Sequence, residues 1–171
     1  MIATGARFSP CRRYRYTLTR EWEPTLPTVI FCGLNPSTAD ETQDDPTIRR
    51  EIGFAMAWGF GKLIKVNAYG FRSTDPKALW KVDDPRGPDN FLEIKSACFQ
   101  TLIRRGGGLF VAAWGNNIRT SDAVELRRML RLEGVKVHAI RITKLGNPAH
   151  PLYLPKTLRP FPWPEVRPCD A

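Results

Sequence analysis

Residues 28–33, Thr-Val-Ile-Phe-Cys-Gly, form an apolar run that breaks off at Gly33-Leu-Asn35-Pro36. A run of this length without polar alternation reads as a strand buried on both faces, and such strands belong to parallel sheets covered by helices. The next stretch is polar and acidic (Asp40, Glu41, Asp44, Asp45). Asp45 and Pro46 then suit the start of a helix whose apolar stripe is Ile48, Ile52, Ala55 and Met56, with Gly59 as its stop. Strand, loop and helix in this order place a candidate site in the loop, because ligands of open α/β sheets bind at the carboxyl ends of the strands. Asn35 is the side chain at that end.

The rest of the chain repeats the alternation. Residues 13–18 alternate polar and apolar as a half-buried strand does, and 62–68 (Lys-Leu-Ile-Lys-Val-Asn-Ala) and 109–114 read as further core strands, with a fourth at 136–143. Helices are expected over 90–105, stopped by Gly106–Gly108, and over 121–133. Between Tyr69 and Asp89 lies a Gly-, Pro- and Asp-rich loop with one helical turn near Lys77–Lys81, and from about residue 146 the chain is irregular and proline-rich. These elements predict one α/β domain over 1–171. Its expected architecture is three-layer α/β/α, with a central, mostly parallel sheet of four to five strands.

Charge narrows the partners. Twenty-six Lys and Arg against 17 Asp and Glu give a net charge of +9, which favours phosphate polymers through counterion release. No apolar run approaches the ~20 residues that cross a bilayer. The cysteines at 11, 32, 98 and 169 are dispersed and lack a metal-ligand spacing. They read as reduced thiols, so a cytoplasmic, monomeric protein without metal or cofactor is expected, with DNA, duplex or single-stranded, as its partner and no membrane contact.

The strand ends gather Asn35, Asn67, Gly115 to Asn117, and Lys144 to His150. Gly33-Leu-Asn35-Pro36 resembles the water-positioning motif of mismatch-specific uracil/thymine DNA glycosylases. Val66-Asn67 resembles the base-reading asparagine of many uracil-DNA glycosylases. Ala112-Ala-Trp-Gly115 and His150-Pro151-Leu152 resemble their later strand end and their His-Pro element. From about Arg15 to Trp163 the chain is also similar to a domain family of bacteria and phages of unknown function, through Leu34–Ala39, Asp44–Ile48, Ala113–Gly115 and His150–Tyr153.

The glycosylase resemblance implies a uracil-DNA glycosylase-like fold and hydrolysis of the N-glycosidic bond of a flipped pyrimidine, mismatched or modified, leaving an abasic site. That chemistry needs a positioned water and a donor for the departing base. Asn35 would orient the water, His150 would donate to a base carbonyl, and Asn67 would read the Watson–Crick edge. Tyr69 and Phe54 are candidates for an aromatic platform, together with Trp58. Leu152 and Tyr153 would fill the gap in the stack, and Arg72 and Lys144 would contact the backbone. Two other classes remain open. Asp40, Asp44 and Asp45 could hold a metal for nuclease or phosphotransfer chemistry, or the domain could bind nucleic acid or a nucleotide without catalysis.

Overall fold

The computed structural model describes residues 2–99 and 107–163. The architecture is α/β, built on a mixed seven-stranded sheet. The strands are β1 (Ala3–Phe8), β2 (Arg15–Glu21), β3 (Thr28–Gly33), β4 (Lys62–Asn67), β5 (Leu109–Ala112), β6 (Val137–Ala139) and β7 (Phe161–Pro162), and the α-helices are α1 (Pro46–Ala57), α2 (Asn90–Cys98) and α3 (Thr120–Leu132). The sheet order is β1-β2-β4-β3-β5-β6-β7. The central strands β4, β3, β5 and β6 pair in parallel, and antiparallel pairs flank them: β1 with β2 and β2 with β4 on one side, β7 with β6 on the other.

Seven strands replace the four to five expected, the additional ones being β1 and β7. No residue of β1 is fully buried, and both residues of β7 are exposed, so neither carries the burial of a core strand. β3 lies at the opposite extreme, with all six residues buried. The fourth expected core strand shrinks to Val137–Ala139, and within the described residues the second helix ends at Cys98. Positions 100–106 of the span expected as helix and stop lie outside the described residues.

Alternation along the strands separates two cores. Ile30, Cys32, Ile64, Val66, Phe110 and Ala112 face Ile94 of α2 and Leu126 and Leu130 of α3. Val29, Phe31, Leu63 and Val111 face Ile48, Phe54 and Ala55 of α1. Helices therefore cover both faces. The chain leaves β3 for β4 on one side and returns past β3 to β5 on the other, so the carboxyl end of β3 is a topological switch point.

The segment after residue 146 is irregular, as expected, but it is pinned to α1. Arg50 donates to the Leu154 carbonyl, Trp58 Nε1 to the Leu158 carbonyl at 3.0 Å, and Arg159 to the Ala57 carbonyl at 2.9 Å. Cys32 and Cys98 are buried free thiols, and burial pushes both pKa values up, which makes them inert core residues. Cys169 lies outside the described residues. Among the described residues no helix is long and apolar enough to cross a membrane.

Candidate functional site

A cavity of about 330 Å³ opens at the switch point, at the low end of the ~300–1,000 Å³ of small-molecule sites. Asn35, Asn67 and His150, expected from three separate strand ends, all line it. Sequence reasoning did not assign Arg15, Lys65 or Trp114, which also line it.

Asn35 lies two residues past the end of β3. Its Nδ2 donates to the Ser73 carbonyl at 2.8 Å and to the Pro36 carbonyl at 3.1 Å. Two carbonyl partners fix the amide orientation and leave Oδ1 as the free acceptor. Ser73 in turn donates its backbone N–H to Pro36, so the 73–76 loop and the Asn-Pro turn brace each other.

Asn67 closes β4, paired in register with Gly33. Its side chain is buried, yet neither Oδ1 nor Nδ2 has a hydrogen-bond partner. A buried unpaired amide group costs roughly 1–3 kcal/mol per polar atom, and few native groups are left that way without a ligand or water. The backbone beneath it is held firmly: Asn90 Nδ2 at the start of α2 donates to the Asn67 and Ala68 carbonyls at 2.9 and 3.1 Å.

Lys65 lies two residues before Asn67, so both side chains leave β4 on the α1 face. Its Nζ is 2.6 Å from Glu51 Oε1, and both side chains are almost wholly buried. Burial pushes the Glu51 carboxyl above its ordinary value, against the pull of the Lys65 ammonium. Gly33 makes room for this arrangement: a Cβ there would lie 2.6 Å from Lys65 Nζ and 2.9 Å from Asn67 Oδ1. A charge in the middle of an otherwise apolar strand was the signal that could have found Lys65.

The third wall follows β5. Trp114 is buried, and its Nε1 has no partner. Gly115, at φ +71°, turns the chain there, and its N–H donates to the Pro148 carbonyl at 2.8 Å. The loop carrying His150 is thereby fastened to the end of β5.

These three walls fall inside a stretch with an outside relationship. A family model described as a protein of unknown function, DUF1643, matches residues 15–152. The chain belongs to that family. No curated protein and no solved structure matches it. Every cavity-lining residue of this DUF1643 domain, from Arg15 to His150, lies inside the matched stretch.

His150 stands at the rim of the DUF1643 cavity, with one side open to solvent. Its Nδ1 accepts the Leu152 N–H at 3.4 Å, which places the proton of a neutral ring on Nε2. Crowding by the surrounding protein, then the nearby Lys65 ammonium, lower its pKa to about 4, so the ring is a neutral N–H donor at physiological pH. An unfolded chain titrates this ring near its ordinary ~6.5. Between about 6.5 and 4 the unfolded state binds the extra proton, so stability falls as pH drops through that window. Thermal midpoints measured across it should decline less in His150→Gln than in the parent; an identical slope in both would remove His150 as the cause.

The remaining predicted residues sit elsewhere. Tyr69 is not a platform: it is buried in the α2/α3 core, with its hydroxyl donating to Asp122 at 2.6 Å and its ring edge-on to Trp80. Phe54 is core as well, packed between Trp58 and the Arg50 guanidinium. The aromatic side chain lining the cavity is Trp114. Leu152 and Tyr153 form a 3-10 turn directly after His150, and Tyr153 is 91% exposed. Arg72 lies over the Phe8 ring and does not itself line the cavity. Lys144 is exposed and does not line the cavity either.

The acidic segment is occupied locally. Asp40 Oδ1 accepts the Thr42 and Gln43 N–H groups, Glu41 pairs with Arg12 at 2.9 and 3.0 Å, Asp44 pairs with Arg20 at 2.8 Å, and Asp45 caps α1 through Ile48 N–H. Arg12 and Arg20 thus supply compensating charge to Glu41 and Asp44. Among the described residues no group of three or more His, Cys, Asp or Glu stands together as a metal site.

Proposed function

We propose that this domain is a monofunctional DNA N-glycosylase, a hydrolase that takes a flipped pyrimidine into the cavity and cleaves its glycosidic bond. The observation that carries the reading is the Asn67 side chain, buried beside the cavity with donor and acceptor both unpaired. An amide in that state matches a ligand edge offering an acceptor next to a donor, as pyrimidine Watson–Crick edges do. Asn35 Oδ1 would take a hydrogen of the attacking water, and His150 Nε2–H would donate to a base carbonyl. Trp114 offers the base an aromatic face and a free indole N–H. Tyr153, which is exposed, would enter the gap left in the stack. The net charge of +9 suits a DNA partner, duplex or single-stranded.

The test is direct. Purified protein is incubated with duplex and single-stranded oligonucleotides bearing uracil, mismatched thymine or bulky modified pyrimidines, and alkali-labile abasic sites are measured with and without EDTA. Abasic sites insensitive to EDTA are expected from at least one substrate, and Asn67→Ala should reduce them about 5- to 150-fold, the ~1–3 kcal/mol scale of a bidentate base contact. Oligonucleotide binding without any abasic product would rule out the glycosylase in favour of a binding module. EDTA-sensitive strand breaks would replace it with a metal-dependent nuclease.

A further inference from the structure

Two buried cations border the cavity with donors to spare. Arg15, 1% exposed, makes a single side-chain hydrogen bond, from one terminal nitrogen to the Ala39 carbonyl at 2.6 Å, and its Nε has no partner. No carboxylate lies within ion-pair distance of it among the described residues. Lys65 has three N–H donors and gives one to Glu51. One carboxylate, Asp45, also lines the cavity, with Oδ1 engaged by the Ile48 N–H at the head of α1. A buried guanidinium without a counter-ion is costly unless something anionic meets it.

We propose that Arg15 and Lys65 form a subsite that receives the negative charge of the departing base. This assignment rests on the glycosylase reading and adds to it the group that takes the leaving electrons. In the hydrolysis the C1′–N bond breaks and its electron pair stays with the base nitrogen, delocalised onto the ring carbonyls. Water oxygen bonds to C1′, and the water proton passes to the base or to solvent. Charge therefore appears on the base as the bond breaks, and fixed cations aimed at it favour the transition state over the neutral ground state. The spare donors of Arg15 and Lys65 are in place before substrate arrives, so no reorganisation is needed at that moment.

The probe is a pair of free heterocycles of similar outline: uracil, neutral at pH 7, and barbiturate, an anion there. Calorimetry or ligand-observed NMR on the wild-type protein should give barbiturate an affinity roughly tenfold or more above uracil, the scale separating charge-assisted from neutral hydrogen bonds. The preference should collapse to within about threefold in Glu51→Gln/Lys65→Met, which removes the buried ion pair together, and should weaken in Arg15→Met. Equal affinity in the wild type, a comparison that requires no variant to fold, would overturn the subsite, as would a preference that survives both variants. Inorganic phosphate that displaces barbiturate and binds more tightly would reassign the cations to a phosphoryl group and likewise overturn it. Failure of the two readings can be told apart. A barbiturate preference without excision from any oligonucleotide removes the glycosylase, and excision with no anion preference removes the subsite.

Discussion

Replacing Lys65 with methionine is expected to destabilise the fold by about 3–5 kcal/mol, the scale measured when one partner of a buried ion pair is removed. Glu51 is wholly buried, its Oε1 is matched by Lys65 Nζ at 2.6 Å, and its Oε2 has no partner even in the intact protein. Without the ammonium the carboxylate has to take up a proton or draw in water through the α1 face. Neutralising both ends, as Glu51→Gln/Lys65→Met, should restore most of the loss, because the desolvation cost disappears together with the attraction. Urea denaturation of the two single variants and the double variant forms a cycle in which the double variant loses far less stability than the sum of the two singles. If Lys65→Met and the double variant unfolded at the same urea concentration, the pair would not be acting as a buried ion pair.

Asn35→Ala should lower excision by about 10²-fold or more, within the ~10²–10⁴ attributed to a positioned proton-accepting group, while oligonucleotide affinity changes little. The companion variant Asn35→Asp is the sharper test. A carboxylate is a stronger base than an amide, so on basicity alone it should accelerate the reaction. Its second oxygen, however, would replace the Nδ2 that now donates to the Ser73 and Pro36 carbonyls, setting oxygen against oxygen at two points of the turn. We therefore expect Asn35→Asp also to be impaired, with single-turnover rates as the measurement. An Asp variant faster than wild type would mean that orientation of the turn is not what limits the reaction, and an Ala variant of wild-type rate would remove Asn35 from the mechanism.

What could be read from the sequence followed burial. β3 shows its run of six buried residues openly, and the Asp45-Pro46 start of α1 is visible because its cap and first turn are local. Asn35, Asn67 and His150 could be brought together on paper because parallel strands align their carboxyl ends on one side of the sheet. β1 could not be foreseen: Ala-Thr-Gly-Ala-Arg-Phe has no apolar face, and it becomes a strand through its pairing with β2. Tyr69 and Phe54 misled because an aromatic residue near a strand end looks alike whether it lines a cavity or fills a core. Arg15 and Lys65 were missed for the opposite reason. A charge within a strand looks alike in sequence whether it faces solvent or the interior, and only the packing of α1 over β4 and the bond from Arg15 to the Ala39 carbonyl show that these two point inward.

The fastening of the last described segment to α1 bears on how the domain can change. Arg50, Trp58 and the Ala57 carbonyl join it to the helix, and two of the three bonds end on main-chain carbonyls of the segment, at Leu154 and Leu158. Both carbonyls lie past residue 152, where the family match ends. Those two bonds are indifferent to the side chains at 154 and 158. Positions 152 and 153 on the rim can therefore drift, lengthen or exchange aromatic for aliphatic groups while His150 stays where it is. The rim of the cavity could thus change shape without disturbing the residues that line its interior.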